Sequence, residues 1–224
     1  MESSQSRARF HVEGALKSVR EVSFDGNLWE REWETAETLL GIVSSGKFEN
    51  ATIVDLGCGG RELKMGADRR GLNYVGLDID DGDFDRDPLP LEAGSVDIVF
   101  GLAIIEHIHN PANLMTEVFR VLRPGGVVYL STPNWRYSWK TFYDNPAHVQ
   151  PYTPGSLEAL LGAYGFTRVT CVPGLRSKRR WMYFGKLRFL WASRIPFRGN
   201  KRYLPSALQG RSTSFFAFGS KPLA

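Results

Sequence analysis

The sequence contains two cysteines, no long apolar run and, after Glu158, no acidic residue. Cys58 and Cys171 are too few for a disulfide framework and lack the spacing of a metal site, which favours a reducing compartment. No uninterrupted apolar stretch approaches the roughly 18 residues that a transmembrane helix needs. The opening residues, MESSQSRARFHVEG, lack the apolar core of a secretory signal, so we expect a cytoplasmic protein.

Because no acidic residue follows Glu158, the charge is unevenly distributed along the chain. Thirteen of the 28 Lys and Arg residues follow Glu158, whereas residues 1–158 carry 15 basic residues against all 24 acidic ones. A basic segment of this kind indicates an anionic partner, such as membrane lipid, a phosphorylated substrate or nucleic acid. Alternatively, the basic part folds back over the acidic body.

Length and composition indicate one medium-sized domain. The 224 residues are 42% apolar, which is enough for a complete core. Residues 1–27 are interpreted as a polar N-terminal segment. Residues 28–224 are interpreted as a single domain with a basic, aromatic insertion at 173–211 before the last strand.

The most informative stretch is TIVDLGCGGRE, residues 52–62. A short β-branched run predicts a buried strand; Asp55 ends it, Gly57 and Gly59 follow, and helix-forming residues come next. A unit of strand, glycine turn and helix directs backbone N–H groups at a ligand, and glycine lets that ligand approach without a Cβ in the way. The acid indicates a ligand with a positive or hydrogen-donating group.

A second predicted strand, NYVGLDID at 73–80, also ends in acids. Asp78 lies 19 residues after Gly59, and an acid at the tip of a second strand can accept hydrogen bonds from both hydroxyls of a ribose. Asp80 is the nearest alternative for this role. The two strands together therefore predict a nucleoside site.

These motifs, with RVLRPGG at 120–126, resemble those of class I S-adenosylmethionine (SAM) methyltransferases over about residues 52–134. The resemblance implies a Rossmann-like, doubly wound α/β sheet of mostly parallel strands with an antiparallel last strand. It also implies SAM as cofactor. Arg61 stands where the family commonly has a third glycine, so the turn is expected to differ locally.

The resemblance also implies a set of cofactor-binding residues. In it Asp78 holds the ribose, Ile79 packs on the adenine, and Asp85 reaches the adenine amino group. Only six residues separate Asp78 from Asp85, so the region after the second strand is shortened and has no room for the usual helix and strand. The complete predicted set is Asp55, Gly57, Gly59, Asp78, Ile79, Asp85 and Leu102.

The rest of the chain is interpreted as alternating strands and helices. Residues 28–48 have the apolar spacing of an amphipathic helix lying on the domain, in which Trp29 and Trp33 are expected to pack into the core. The spacing elsewhere predicts strands at 95–102, 127–131, 166–172 and 213–220, helices at 61–70, 112–122 and 153–164, and a turn at 123–126.

Methyl transfer from SAM requires a nucleophile held in line with an activated methyl group, and it needs no metal; we predict no metal site. If the acceptor is a hydroxyl, a base helps to remove its proton. His107 and His148 are the candidate catalytic residues, with Glu106 as a further candidate.

The acceptor is interpreted as a small molecule or lipid-linked compound, with a sugar, lipid-linked or phosphorylated hydroxyl as the leading hypothesis. Residues 176–202 could contact an anionic membrane surface, at which a cytoplasmic protein would be peripheral; nucleic acid is a weaker alternative. The sequence contains no indication of oligomeric state. Two other classes remain open: a Rossmann dinucleotide enzyme, although Glu62 occupies its third glycine position, and a SAM-binding module without turnover.

Overall fold

A computed structural model describes residues 33, 36–37, 50–173 and 213–223, and it contains a six-stranded sheet. The strand order is β2-β1-β3-β4-β6-β5. The strands β1 to β4 are parallel to one another, and β6 is antiparallel to both β4 and β5. The strands are β1 Thr52–Leu56, β2 Asn73–Leu77, β3 Val96–Leu102, β4 Leu122–Pro133, β5 Thr167–Pro173 and β6 Ser214–Ser220.

Helices follow the strands as the sequence predicts. Thr153 caps one of them: its hydroxyl accepts a hydrogen bond from the backbone N–H of Ser156, and Pro154 occupies the first turn. The helices are α1 Glu62–Arg69, α2 Pro111–Val121, α3 Trp135–Ser138 and α4 Pro154–Ala163, with single 3₁₀ turns at Ile79–Asp81, Ile105–His107 and Phe142–Asp144. No described helix has the length and apolar character needed to cross a bilayer.

The predicted α/β class, the parallel order and the antiparallel last strand are confirmed. The shortened region is confirmed as well, because between β2 and β3 the structure has one 3₁₀ turn and neither helix nor strand. The second strand is shorter than predicted: it ends at Leu77, and Ile79–Asp81 turns instead of extending. The side chain of Asp78 caps that turn, and residues 79–81 therefore leave the sheet.

The segment predicted as a separate turn at 123–126 lies within β4. Val96 pairs with Leu122 and Ile98 with Val127, so the residues between form a bulge in the strand. Gly126 is required there, since an added Cβ would lie 2.9 Å from the carbonyl oxygen of Arg123.

Apolar side chains cover both faces of the sheet. On one face α2 and α4 contribute buried residues such as Leu114 and Leu157. On the other face Trp33 is 3% exposed, packs edge-to-face on Phe100 at 5.1 Å, and donates a hydrogen bond to the carbonyl oxygen of Leu63. The predicted core role of Trp33 is therefore confirmed.

Several predicted features lie outside the described residues. They are Trp29 with most of the 28–48 helix, the N-terminal segment 1–27, the basic insertion after Pro173 up to residue 211, and the whole of 176–202. Of the 28–48 helix, residues 33, 36 and 37 are described, and all three are helical.

Candidate active site

Asp55 lies inside the sheet, in register with Gly76 of the neighbouring strand. It is 4% exposed, and its Oδ2 accepts a 2.7 Å hydrogen bond from the hydroxyl of Tyr74. Burial raises the pKa of Asp55 to about 7; the Tyr74 hydrogen bond opposes this rise, and the charges of Glu62 and Asp78 add to it. Its charge at neutral pH will therefore respond to any cationic ligand.

The glycine turn after β1 is held against the end of β2. The backbone N–H groups of Gly57 and Cys58 both donate to the carbonyl oxygen of Leu77, at 2.8 and 3.2 Å. Gly57 and Gly59 have positive φ angles of 69° and 47°, which favour glycine. Around Gly59 an added Cβ would meet no atom within 4 Å, so this side of the turn is open. Arg61 is also left-handed, with φ 58°, at the position where the family commonly has glycine.

Asp78 closes the same turn from the second strand. Its Oδ2 accepts a 2.6 Å hydrogen bond from the backbone N–H of Gly59, and its Oδ1 accepts one of 2.8 Å from that of Ile79. A carboxylate has about four lone-pair sites, so both oxygens can still accept ribose hydroxyls. Ile79 is 37% exposed beside it, an apolar surface suited to a base. The structure thus brings Asp55, both turn glycines, Asp78 and Ile79 to one edge of the sheet.

Asp85 is anchored to a different neighbour. Its Oδ1 accepts a 2.7 Å hydrogen bond from the backbone N–H of Asn110, and its Oδ2 lies 3.4 Å from Nδ1 of His109. The Asn110 side chain donates to the backbone carbonyl of Asp85. These contacts tie the shortened region to the start of α2, and contact of Asp85 with adenine stays a prediction. Leu102 is the last residue of β3 and is half-buried in the cluster that contains Trp33.

The sequence did not predict the role of Tyr74. Residues alternate between the faces of a strand, so Tyr74, Gly76 and Asp78 project to one side. A Cβ at Gly76 would lie 2.9 Å from Cys58 Sγ and 3.0 Å from the Tyr74 hydroxyl oxygen. This glycine makes the room in which the tyrosine reaches Asp55, and the pattern tyrosine–glycine–acid was the available signal.

Both predicted catalytic histidines lie together beyond the end of β3. Nδ1 of His107 is 3.0 Å from the carbonyl oxygen of Ala147, and Nδ1 of His148 is 2.7 Å from that of Phe142. The two rings meet edge-to-face with their centroids 4.9 Å apart. Burial lowers the pKa of His148, and the hydrogen bond to Phe142 opposes that shift.

Two buried polar residues lie near these histidines along the chain: Glu106 directly precedes His107, and Tyr152 follows His148 by four residues. Glu106 is 1% exposed, and its backbone carbonyl accepts hydrogen bonds from the N–H groups of Val149 and Gln150. Tyr152 is 4% exposed, and burial together with the charge of Glu106 raises its pKa to about 12. We call Glu106, His107, His148 and Tyr152 the histidine cluster.

The histidine cluster adjoins the glycine turn through Ile104. A Cβ at Gly57 would lie 3.0 Å from Cδ1 of Ile104, two residues before Glu106. Both sites therefore lie where the parallel strands end, the usual location of ligands in open α/β sheets. A ligand on the turn and a second molecule on the histidine cluster would share this edge.

A family model for a methyltransferase domain matches residues 31–171. The chain belongs to this methyltransferase family. The match spans both sites, from the helix that carries Trp33 to β5. The competing interpretation as a dinucleotide enzyme gains nothing from this match.

Two curated relatives and a solved structure extend the comparison. A Mycolicibacterium smegmatis protein named as a probable SAM-dependent methyltransferase is 34% identical over 160 residues, covering 62% of this chain and 60% of the relative. A ubiquinone biosynthesis O-methyltransferase of Psychrobacter arcticus is 26% identical over an alignment of 215 residues, covering 75% of this chain and 82% of the relative. A SAM-dependent methyltransferase structure from Archaeoglobus fulgidus has a TM-score of 0.58 at 16% identity, covering 85% of this chain and 94% of that one, which shows the fold.

The comparisons confirm the class I SAM methyltransferase family, its Rossmann-like fold and SAM as its cofactor. The chain spans 60% of the length of the M. smegmatis relative. The individual cofactor contacts, the catalytic histidines, the acceptor, the domain boundaries and the cytoplasmic location stay predictions.

Proposed function

We propose that this methyltransferase transfers the methyl group of SAM to a hydroxyl oxygen of its acceptor. The observation that carries the proposal is the histidine cluster beside the glycine turn. Two imidazoles and a buried carboxylate at this position are suited to a neutral acceptor that must lose a proton. The name of the P. arcticus relative, an O-methyltransferase, supports the same direction.

In this proposal SAM lies across the ends of β1, β2 and β3. Asp78 accepts the ribose hydroxyls while keeping its hydrogen bond from Gly59, and Ile79 packs against the adenine. Asp55 faces the positively charged part of the cofactor, which stabilises its ionised form. The open side of Gly59 admits the nucleoside without a clash.

The chemical step is an in-line displacement at the sulfonium methyl carbon. The acceptor oxygen forms the new bond to carbon, the carbon–sulfur bond breaks, and its electron pair stays on sulfur, giving S-adenosylhomocysteine. The hydroxyl proton leaves through the histidine cluster. Since the Nδ1 atoms of His107 and His148 face backbone carbonyls, each neutral ring has its lone pair on Nε2. Alignment of the two reactants supplies much of the acceleration, up to about 7–11 kcal/mol in well-oriented cases.

We propose a sugar, lipid-linked or phosphorylated metabolite as acceptor. The charge distribution supports this class, because thirteen basic residues and no acidic ones follow Glu158. Such a segment attracts phosphate or an anionic membrane surface. Flotation with anionic and neutral vesicles at low salt tests whether the protein binds an anionic membrane surface. If the protein floats with neither kind of vesicle, membrane binding is contradicted.

The transfer itself can be tested with radiolabelled SAM and extracts of carbohydrate, lipid and small metabolites. We expect label in one acceptor fraction with the wild type and with the control Lys64→Ala, whose exposed side chain pairs with Asp68. His107→Ala and His148→Ala should lower turnover by about 10²–10⁴-fold while leaving SAM affinity unchanged. Near-normal turnover in both histidine variants would contradict the proposed role, and SAM binding without transfer to any fraction would favour a non-catalytic module.

A further inference from the structure

We propose that Glu106, His107 and His148 hold a divalent transition-metal ion that binds the acceptor hydroxyl. One potential ligand atom from each residue lies within 4.8 Å of the other two. Two imidazoles and one carboxylate are a common ligand set for such ions, and small side-chain movements would close them around a metal. The metal's part in catalysis rests on the proposed function; its binding can be tested separately.

The two rings are oriented as metal ligands usually are. Carbonyl oxygens only accept hydrogen bonds, so the Nδ1 atoms that face Ala147 and Phe142 must carry the protons. Each neutral ring then presents the lone pair of Nε2. A backbone carbonyl on the far nitrogen is a typical partner of a metal-binding histidine, because it fixes the tautomer and the ring direction.

Glu106 is held in place by the segment that supplies His148. The backbone N–H groups of Val149 and Gln150 donate to the Glu106 carbonyl at 2.9 and 3.0 Å. The 3₁₀ turn and this segment are therefore fastened together at the cluster. Glu106 is 1% exposed, so water solvates its charge poorly. A bound cation would stabilise the ionised carboxylate.

Tyr152 supplies a second, independent observation. Its hydroxyl is buried and forms no hydrogen bond within the part of the chain that the structure describes. Burying an unsatisfied hydroxyl is unfavourable, so such a group points to a missing partner. An oxygen bound to the metal, from water or from the acceptor, would supply that partner.

The ligand set selects the kind of ion. Two nitrogens and one carboxylate suit Zn²⁺, Mn²⁺ or Fe²⁺ better than Mg²⁺ or Ca²⁺, which prefer oxygen ligands. Three protein ligands leave at least one position open, as in catalytic sites. With both Nε2 atoms bound to the metal, the imidazoles would no longer act as the base: coordination would lower the pKa of the acceptor hydroxyl, and its proton would pass to solvent instead. The oxygen would then attack the methyl carbon as the carbon–sulfur electrons move to sulfur.

The proposal departs from the sequence-based prediction of no metal site. His148 is far along the chain from His107, and nothing in their spacing resembles a metal motif. Only the fold brings them together.

Metal binding can be measured on the tag-free full chain after chelator treatment, without SAM or acceptor. We expect Zn²⁺ or Mn²⁺ to bind as one ion per chain by calorimetry and elemental analysis. His107→Ala, His148→Ala and Glu106→Gln should each weaken binding at least about tenfold. The matched control is His109→Ala, which removes an exposed histidine beside Asp85 and should bind as the wild type does.

Thermal unfolding provides the second readout. Metal should raise the melting temperature of the wild type and of His109→Ala but not of His148→Ala. If His148→Ala does not fold, as judged by circular dichroism, His148→Gln keeps a polar side chain and serves instead. The site would be overturned if the wild type bound neither Zn²⁺ nor Mn²⁺. It would also be overturned if the histidine variants bound metal as tightly as the wild type.

The two proposals fail in distinguishable ways. Bound metal without methyl transfer to any acceptor would support the metal site and contradict the proposed function. Methyl transfer that continues unchanged after the metal is removed would overturn the metal's role while leaving the proposed function in place.

Discussion

The substitution Asp55→Asn should make the ligand-free protein more stable at alkaline pH while weakening SAM binding. The pKa of Asp55 rises from 3.8 to about 7, mainly because burial disfavours its charge. An asparagine has no charge to bury and can still accept the hydrogen bond from Tyr74. The ionised carboxylate therefore destabilises the ligand-free protein, whereas in the complex its charge favours binding of the positively charged cofactor.

The magnitude follows from the difference between the two pKa values. Between pH 4 and 7 the folded state keeps a proton that the unfolded chain has lost, so this residue makes the free energy of unfolding fall as pH rises. Above about pH 7 both states are ionised and the decline stops. A pKa change from 3.8 to about 7 corresponds to about 4 kcal/mol, of which about 3 kcal/mol falls between pH 5 and pH 8.

Urea unfolding of both proteins at several pH values measures this difference, and calorimetry measures SAM affinity. The wild type should lose about 3 kcal/mol relative to Asp55→Asn between pH 5 and pH 8, and the variant should bind SAM at least about tenfold more weakly. Tyr74→Phe is the matched control, since it removes the hydrogen bond that opposes the rise and should move the decline to higher pH. Parallel curves of unfolding free energy against pH for the wild type and Asp55→Asn would show that Asp55 does not keep its proton in the folded state.

Three further substitutions separate binding from stability. Gly57→Ala places a Cβ 3.0 Å from Cδ1 of Ile104 at a φ of 69°, so we expect a loss of about 1–3 kcal/mol in urea unfolding and weaker SAM binding; wild-type values would contradict the account of the turn. Asp78→Ala should reduce SAM affinity at least about tenfold by calorimetry, and unchanged affinity would remove it from the site. Arg120→Leu removes the ion pair with Glu117 and the hydrogen bonds that Arg120 donates to the carbonyl oxygens of Leu89 and Leu91, so we expect a loss of about 1–3 kcal/mol in urea unfolding with SAM affinity unchanged; a large affinity loss would contradict this.

The cofactor-binding residues at the ends of β1 and β2 could be predicted because the sequence signal for them is local. An acid, a glycine turn and a helix lie within one short stretch, and the next strand ends in Asp78 at a suitable distance along the chain. The ends of neighbouring parallel strands meet at one edge, so predicting the strands was enough to bring the acids near each other.

Contacts between distant segments could not be predicted in the same way. The sequence offered His107 and His148 as separate candidates, and their edge-to-face contact depends on how the segment after α3 folds over the end of β3. The hydrogen bond from Tyr74 to Asp55 depends on strand register and on the space at Gly76. Register and loop packing are set by the whole fold rather than by local propensity.

The contacts of Asp85 with the start of α2 could not be predicted from its spacing along the chain. The resemblance implies that Asp85 contacts adenine, which stays a prediction; in the structure Asp85 holds Asn110. One carboxylate oxygen accepts the Asn110 N–H and the other faces His109. A role beside adenine would require the ligand to share these oxygens.

Calorimetric titration of the full chain with SAM and, separately, with NAD shows whether the ends of β1 and β2 bind SAM. We expect one SAM to bind per chain, at least about tenfold more weakly in Asp55→Asn and in Asp78→Ala, and no heat of binding with NAD. Binding of NAD without SAM, or SAM affinity unaffected by both substitutions, would contradict it.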